Sequence, residues 1–363
     1  MRRMTMALGQ GAPLACLLAA LVVAGLVASL VAAPARARTV TDSAGRTVEL
    51  PDAVERVYAA GPPVSILLYV LAPDRLTGWP RAPKAYERPY LAVAYLDLPE
   101  TGRLTGRGDT ANLEAVLRTR PDLIFDFGSI GDTYVSLADR TQAQLGIPYL
   151  LIDGRFENTP EALRLMGEVL DVSARSERLA GYAERLFAEL DQVLAGVREQ
   201  ARPRVYLARG PDGLETGLKG SINTEIIERA GGRNVADPGE DSLGRRGITR
   251  ASIEDVIVAD PDTIVTWDRN FFERVWSDPL WADIAAVRRG RVYLAPTAPF
   301  GWIDRPPSVN RLIGLKWLAG LFYPDRFSFD LRREVRAFYR LFYHVDLDEA
   351  ELDRLIEWAN GRP

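Results

Sequence analysis

The feature that most constrains the fold is one long amphipathic stretch, residues 173–200. Its apolar residues recur at spacings of three and four, which predicts a helix with a single apolar face. Those residues are Leu179, Ala183, Leu186, Leu190, Val193, Leu194 and Val197. Ser173 is predicted to be the N-cap, and Arg202 before Pro203 is predicted to end the helix. Such a helix would be roughly 40 Å long, about the width of a domain.

The segments on either side of this helix share a short internal repeat. Residues 112–117 are NLEAVL and 120–124 are RPDLI, whereas 252–257 are SIEDVI and 260–264 are DPDTI. Each copy begins a predicted helix with a glutamate, and Pro-Asp and an apolar strand follow. The repeat indicates that the two segments fold alike.

The fold class follows from the order of predicted elements. Strands and helices alternate in both segments, which predicts parallel sheets whose ligand-facing loops lie at the carboxyl ends of the strands. We therefore predict an α/β protein with two Rossmann-like lobes of parallel-rich sheet, joined by one long helix. The predicted boundaries are 38–171 for the N-terminal lobe, 172–202 for the bridging helix and 203–363 for the C-terminal lobe. A chain of 363 residues is long enough for two such cores.

The N-terminus has the layout of a secretory signal peptide, predicted over residues 1–37. Arg2 and Arg3 precede an apolar run, and Ala35-Arg36-Ala37 offers a cleavage site. An uncleaved membrane anchor and a lipid attached at Cys16 are the alternatives. The mature protein is expected to be extracytoplasmic.

Composition excludes several functional classes. Cys16 and His344 are the only cysteine and the only histidine, so one chain can form neither a His/Cys metal cage nor a disulfide. The formal net charge of -4 gives no sign of nucleic-acid binding. The chain contains neither a Gly-x-Ser-x-Gly elbow nor a phosphate-binding Gly-x-x-x-x-Gly-Lys loop. His344 is expected at the surface or at a helix cap, with a metal-ligand role as the alternative.

Several motifs together resemble a known family. They are Val40-Thr41-Asp42 with Gly45-Arg46, the two glutamate helices, Ala230-Gly231-Gly232, and Gly290-Arg291-Val292-Tyr293. In this combination the chain resembles the periplasmic binding proteins of ABC importers for iron-siderophores, haem and vitamin B12. The resemblance implies a rigid bridging helix, little hinge closure, a ligand between the lobes and an ABC permease as partner.

The resemblance also implies that Glu114 and Glu254 dock onto the permease, one from each lobe. The alternative is that both are first-turn glutamates that only favour the positive end of a helix. Ser252 and Asp255 can form a capping box without Glu254.

The expected ligand brings its own metal donors or is an oxyanion, because borderline metals prefer the His and Cys that this chain lacks. Arginine forks and aromatic faces suit such anionic ligands. The candidates at predicted strand ends are Trp79, Arg81, Tyr134, Arg209, Trp267, Arg269, Trp302 and Arg305. The pairs Trp267/Arg269 and Trp302/Arg305 are favoured, and packing or salt bridging is the alternative for each residue.

The sequence therefore predicts a monomeric solute-binding protein without a cofactor. Its first candidate ligand is a metal chelate resembling an iron(III)-siderophore, and the alternatives are molybdate, tungstate, or a nickel or cobalt chelate. Residues 299–307, 310–317 and 338–343 resemble a subgroup associated with molybdate, tungstate or nickel uptake as well as iron. An extracytoplasmic enzyme and a membrane-tethered sensor are the other classes considered.

Overall fold

The computed structural model of the protein describes residues 38–106, 113–236, 247–357, 359 and 361. The predicted signal peptide, with Cys16, lies outside the described residues, as does Asn112 of the internal repeat. Within the described ranges, no helix combines the length and the apolar character needed to cross a membrane.

The N-terminal lobe begins with a hairpin and continues as a three-stranded parallel sheet. Its strands are β1 (Arg38–Thr41), β2 (Thr47–Leu50), β3 (Val57–Ala59), β4 (Leu123–Gly128) and β5 (Tyr149–Asp153), with β1 and β2 antiparallel and the sheet in the order β3-β4-β5. Its helices are α1 (Pro62–Leu71), α2 (Leu113–Arg118), α3 (Asp132–Leu145) and α4 (Thr159–Val169). Asp42 fixes the hairpin turn, since its carboxylate accepts from the backbone N–H groups of Ala44 at 3.0 Å and Arg46 at 2.9 Å.

The C-terminal lobe contains a four-stranded parallel sheet and one antiparallel strand pair. The strands of this lobe are β6 (Arg204–Ala208), β7 (Glu215–Gly217), β8 (Arg233–Asn234), β9 (Ile248–Arg250), β10 (Thr263–Thr266) and β11 (Val292–Leu294). The parallel sheet has the order β11-β10-β6-β8, and β7 pairs with β9. Its helices are α6 (Glu225–Arg229), α7 (Ile253–Ala259), α8 (Arg269–Arg274), α9 (Ala285–Arg288), α10 (Arg311–Phe322), α11 (Leu331–Phe338) and α12 (Glu349–Ile356). In the C-terminal lobe, the loops that follow β6, β10 and β11 carry Arg209, Trp267 and Arg305.

The long helix between the lobes, α5, spans Ser173–Leu194. It is shorter than predicted, because the chain leaves the helix after Leu194 and forms a separate turn at Glu199–Ala201. Ser173 is not the N-cap; Val172 occupies that position, and Ser173 is the first helical residue. With 22 residues the helix is about 33 Å long. It packs tightly on α4, where a Cβ on Gly167 would lie 2.0 Å from Ser176 Oγ.

The predicted fold class is confirmed, with differences at the level of single elements. The sequence prediction missed the antiparallel pair β7–β9 and helix α8. Leu76 and Trp79 form only isolated bridges. Helix α11 ends at Phe338, and a π-helical turn continues it over Tyr339–Tyr343.

The internal repeat extends further than the sequence motif suggested. Arg56 directly precedes β3, and Arg204 begins the equivalent strand β6. Each side chain donates to a carbonyl at or just after the end of its lobe's glutamate helix, Arg56 to Thr119 O at 2.6 Å and Arg204 to Ala259 O. The carboxylate of Asp122 accepts from Arg56 N at 2.8 Å, and that of Asp262 accepts from Arg204 N at 3.1 Å. The same two contacts therefore hold α2 and α7 in equivalent positions.

The ion pair of Arg311 and Glu225, both in the C-terminal lobe, forms hydrogen bonds with the N-terminal lobe. The fully buried Arg311 on α10 donates to Glu225 Oε1 at 2.6 Å and, across the lobe boundary, to Gly154 O at 3.1 Å. The backbone N–H of Phe156 in the N-terminal lobe also donates to Glu225 Oε1, at 2.9 Å. Burial lowers the pKa of Arg311, and Glu225 opposes that effect. These contacts favour one fixed arrangement of the lobes.

Candidate functional site

The centre of the candidate site is Trp267, which has the guanidinium groups of two arginines over its ring. It follows β10, so it lies at the carboxyl edge of the C-terminal sheet, where ligands bind in folds of this type. The guanidinium carbons of Arg209 and Arg305 lie 4.9 Å and 5.0 Å from the centre of its ring. Both distances are within the range of cation–π attraction. The structure therefore brings together three of the predicted residues, one from each of three loops.

A buried acid, Asp304, lies beside the group formed by Arg209, Trp267 and Arg305, which we call the Trp267 stack. Its carboxylate is 2.8 Å from Arg209 Nη1, although the two groups are not aligned for a hydrogen bond. Burial raises the pKa of Asp304, while Arg209, Arg305 and Arg311 oppose that rise. Arg209 Nε, Trp267 Nε1 and both Asp304 oxygens are buried without a hydrogen-bond partner among the described residues. Buried polar groups are normally paired, so these atoms have hydrogen-bonding capacity left for a ligand.

Next to Trp267 lies a cavity of about 370 Å³ between the lobes. Tyr86, Pro89 and Tyr90 line it from the N-terminal lobe, and the remaining lining comes from the C-terminal lobe. That remaining lining consists of Trp267, Arg269, residues 294–298, Arg354, Leu355 and Glu357. Burial, then Glu87, raises the pKa of Tyr86, and Arg81 and Arg305 partly oppose the rise. Charged groups of both lobes therefore act at this ring.

Two predicted arginines lie at the rim of the site. Arg269 lines the cavity, but its guanidinium is paired with Glu273 at 3.0 Å and lies 3.7 Å from Glu357. Arg81 donates to Glu87 at 2.8 Å and is about half exposed. Both keep exposed guanidinium surface, and each is paired with at least one carboxylate.

Trp79 is a packing residue of the N-terminal lobe. Only 3 % of it is exposed, and its Nε1 donates to Tyr95 O at 2.8 Å. Its ring packs 5.4 Å from Tyr69 and 6.3 Å from Phe300, which lies in the loop after β11. The residue therefore supports the contact between the lobes.

Trp302 and Tyr134 lie away from the Trp267 stack. Trp302 is fully buried in the core, where it packs on Trp317 at 6.1 Å and donates to Tyr339 Oη at 3.3 Å. The loop after β11 turns inward at this point, and Gly314 lets α10 approach it, since a Cβ there would lie 1.8 Å from Trp302 O. Tyr134 packs, partly buried, on a cluster of the N-terminal lobe.

Sequence reasoning missed Asp304, Tyr86 and Tyr90. Asp304 lies between the predicted residues Trp302 and Arg305 in the sequence. An acidic residue next to a predicted aromatic–arginine pair could therefore have been chosen as a candidate. The tyrosines lie in an irregular loop where no periodicity marks the exposed positions. Tyr86 is 54 % exposed and Tyr90 only 4 %.

The single histidine lies behind the site. His344 Nε2 contacts Tyr69 O at 3.2 Å and Arg175 Nη2 at 3.1 Å. Burial and then Arg175 lower its pKa. Within the described residues, no cluster of His, Cys, Asp and Glu has the arrangement of a metal site.

The two predicted docking glutamates lie on the surface of different lobes. Glu114 is in the first turn of α2 and Glu254 in the first turn of α7, and both are exposed. The predicted capping box is confirmed: Ser252 Oγ accepts from Asp255 N at 3.1 Å, and Asp255 Oδ2 accepts from Ser252 N at 3.0 Å. Glu254 is not part of this cap.

Comparison with known proteins identifies the family. The chain belongs to the periplasmic binding protein family, whose model matches residues 67–299, more than half of the sequence. A solved ABC transporter solute binding protein from Sulfurospirillum deleyianum DSM 6946 is 31% identical, with a TM-score of 0.80 over 88% of this chain and 99% of that chain. The predicted family resemblance is thereby confirmed.

Two further relatives extend the comparison. The molybdate periplasmic binding protein MolA of Haemophilus influenzae, bound to molybdate, has a TM-score of 0.70 at 24% identity, over 86% of this chain and 99% of that chain. An uncharacterized ABC transporter substrate-binding lipoprotein, YvrC of Bacillus subtilis (strain 168), is 23% identical over 230 residues, 60% of this chain and 67% of that protein. The protein is therefore a substrate-binding protein of an ABC importer, and a permease is its partner. The family consists of transport binding proteins rather than enzymes.

Proposed function

We propose that this protein captures an anionic metal chelate in the cleft beside Trp267 and delivers it to its ABC permease. The first candidate ligand is a complex resembling an iron(III)-siderophore. The observation that carries the proposal is the Arg209–Trp267–Arg305 stack at the carboxyl edge of the C-terminal sheet. We also infer that the protein is exported through residues 1–37 and acts as a monomer.

The charges around the stack support an anionic ligand. Arg305 is exposed, and only one arginine of the stack, Arg209, is paired closely with Asp304. Guanidinium groups form strong, directional hydrogen bonds with oxyanions and phenolates. The unpartnered Nε1 of Trp267 and Nε of Arg209 are further donors. Donors outnumber acceptors here, which suits a ligand rich in anionic oxygen.

The size of the cavity supports a chelate over a bare ion. Its volume of about 370 Å³ lies in the range of about 300–1,000 Å³ that is common for small-molecule sites. That space is much larger than a tetrahedral oxyanion needs, and the tyrosines on its wall suit a planar organic ligand. Molybdate and tungstate are the second candidate ligands, because the same arginines would bind an oxyanion and the relative MolA binds molybdate. Nickel and cobalt chelates are the remaining candidate ligands.

We further propose that Glu114 and Glu254 dock onto the permease. Both are exposed, and neither forms a hydrogen bond or an ion pair with another described residue. Their equivalent positions in the internal repeat support a shared role. A first-turn glutamate that served only its helix would not need to recur in both lobes.

A thermal-shift screen of the purified mature protein tests the proposed ligand class. The panel contains ferric catecholates, ferric hydroxamates, haem, cobalamin, nickel chelates, molybdate and tungstate. A ligand present at 100 times its dissociation constant should stabilise the protein by about 2.7 kcal/mol, a shift of several degrees. We expect the largest shift from an anionic ferric complex. A shift with molybdate or tungstate alone would favour the second candidate, and no shift with any compound would contradict the proposal.

A further inference from the structure

Exposed apolar side chains are concentrated on the two glutamate helices. Among the described residues, six large hydrophobic side chains are exposed, and three of them lie on α2 and α7. They are Leu117 at 48 %, Ile257 at 47 % and Val258 at 85 % exposure. The two helices contain only six and seven residues, so this concentration is not explained by their share of the surface.

The internal repeat places these side chains in equivalent positions. Leu117 follows Glu114 by three residues, and Ile257 follows Glu254 by three residues. Residues three apart lie on the same side of a helix, so each lobe presents a carboxylate and an apolar group together. The intervening Val116 and Val256 are buried and anchor each helix to its sheet. Packing in the core therefore explains Val116 and Val256, but it does not explain the exposed apolar side chains of Leu117 and Ile257.

We propose that Leu117, Ile257 and Val258 form the apolar part of the permease-docking surface, one patch on each lobe. This inference rests on the proposed docking role of the glutamates. A charged group beside an exposed apolar group is the usual composition of a protein interface, in which apolar contacts are desolvated and charges orient the partners. Two equivalent patches fit a partner that presents related surfaces twice, as a permease with two membrane subunits does.

The two helices hold equivalent positions in their lobes. Each directly precedes a parallel strand, α2 before β4 and α7 before β10. The end of each helix is held by an arginine at the start of a neighbouring strand, Arg56 just before β3 and Arg204 in β6. A permease bound to both patches would therefore contact both lobes at once.

Binding to the cognate permease–ATPase complex, purified in lipid nanodiscs, tests the inference. The variants are Leu117→Ser and the double variant I257S/V258S, with Leu280→Ser as the matched control, because Leu280 is also 60 % exposed. Loss of the apolar contact should weaken binding roughly 5- to 20-fold for each patch, whereas the control should bind like the wild type. Because all these side chains are exposed, melting temperatures and thermal shifts with the panel compounds should not change.

The outcomes separate this inference from the proposed function. If the wild type binds the permease and charge reversal of Glu114 and Glu254 weakens binding, but the serine variants match L280S, the apolar contact is refuted and the docking role of the glutamates stands. If neither charge reversal nor the serine variants change binding, both assignments are wrong. If the wild type itself does not bind, the proposed partnership fails.

Discussion

Replacing Arg311 by methionine is expected to lower the free energy of unfolding by about 3 to 5 kcal/mol, as found when one partner of a buried ion pair is removed. The guanidinium is fully buried and satisfies Glu225, Ile222 O and Gly154 O together. Methionine fills a similar volume but donates no hydrogen bond, so two carbonyls lose their donor and the Glu225 carboxylate keeps only the Phe156 N–H. Chemical denaturation of the wild type and the variant measures the effect.

Arg164→Met is the matched control for this change. Arg164 pairs with Glu177 at 2.8 Å and Glu184 at 2.6 Å on the surface of α5. Exposed ion pairs contribute about 0 to 1 kcal/mol, so this variant should lose little. The double variant R311M/E225Q should recover part of the loss, because it leaves no unpaired charge. Equal losses for Arg311→Met and Arg164→Met would show that the buried pair does not hold the lobes together.

Reversal of both docking glutamates, Glu114→Arg with Glu254→Arg, is expected to abolish uptake while ligand affinity stays unchanged. Charge reversal would replace the proposed attraction to the permease by repulsion, and like charges in an interface cost several kcal/mol. Both positions are exposed and distant in sequence from the loops that carry the Trp267 stack. Uptake of the identified ligand by cells that lack the wild-type protein measures the first effect, and titration of the purified variant measures the second.

A second double reversal controls for the change in net charge. Glu161 is an exposed first-turn glutamate of α4, and Glu189 is exposed on α5. The double variant E161R/E189R changes the net charge by the same amount as the docking variant. It places one arginine in the first turn of a helix, where a positive charge is unfavourable, whereas the docking variant places two. This control should transport normally. If it fails as badly as the docking variant, or if the docking variant transports normally, the assignment of Glu114 and Glu254 is wrong.

The sequence predicted the main helices and turns of this protein because local residue patterns determine them. The apolar stripe of α5 and the Pro-Asp turns before β4 and β10 depend on neighbouring residues alone, so they were readable. The capping box at Ser252 was readable for the same reason. The end of α5 was harder to predict, because residues 195–200 keep the apolar spacing of a helix although the chain leaves the helix after Leu194.

The site was only partly predictable, because long-range contacts decide which side chains reach the cleft. Trp267 and Trp302 both follow strands in the sequence. Two guanidinium groups lie over the ring of Trp267, however, whereas Trp302 is buried against Trp317. Sequence spacing gives no information about that difference. The stack itself depends on three loops that are distant along the chain. Arg209 and Arg305 were therefore predicted as candidates, but their convergence on one ring was not.

Calorimetric titration with two ferric complexes, an anionic catecholate and a neutral hydroxamate, tests the proposed anion site at Trp267. It should be run on the wild type, on Arg305→Gln and on the surface control Arg164→Gln. We expect the wild type to prefer the anionic complex and salt to weaken this binding. Arg305→Gln should weaken it about tenfold or more, since loss of a charge-assisted contact costs about 1.5 to 3 kcal/mol. The control should bind normally. Equal or tighter binding of the neutral complex, with no effect of Arg305→Gln, would contradict an anion site at the Trp267 stack.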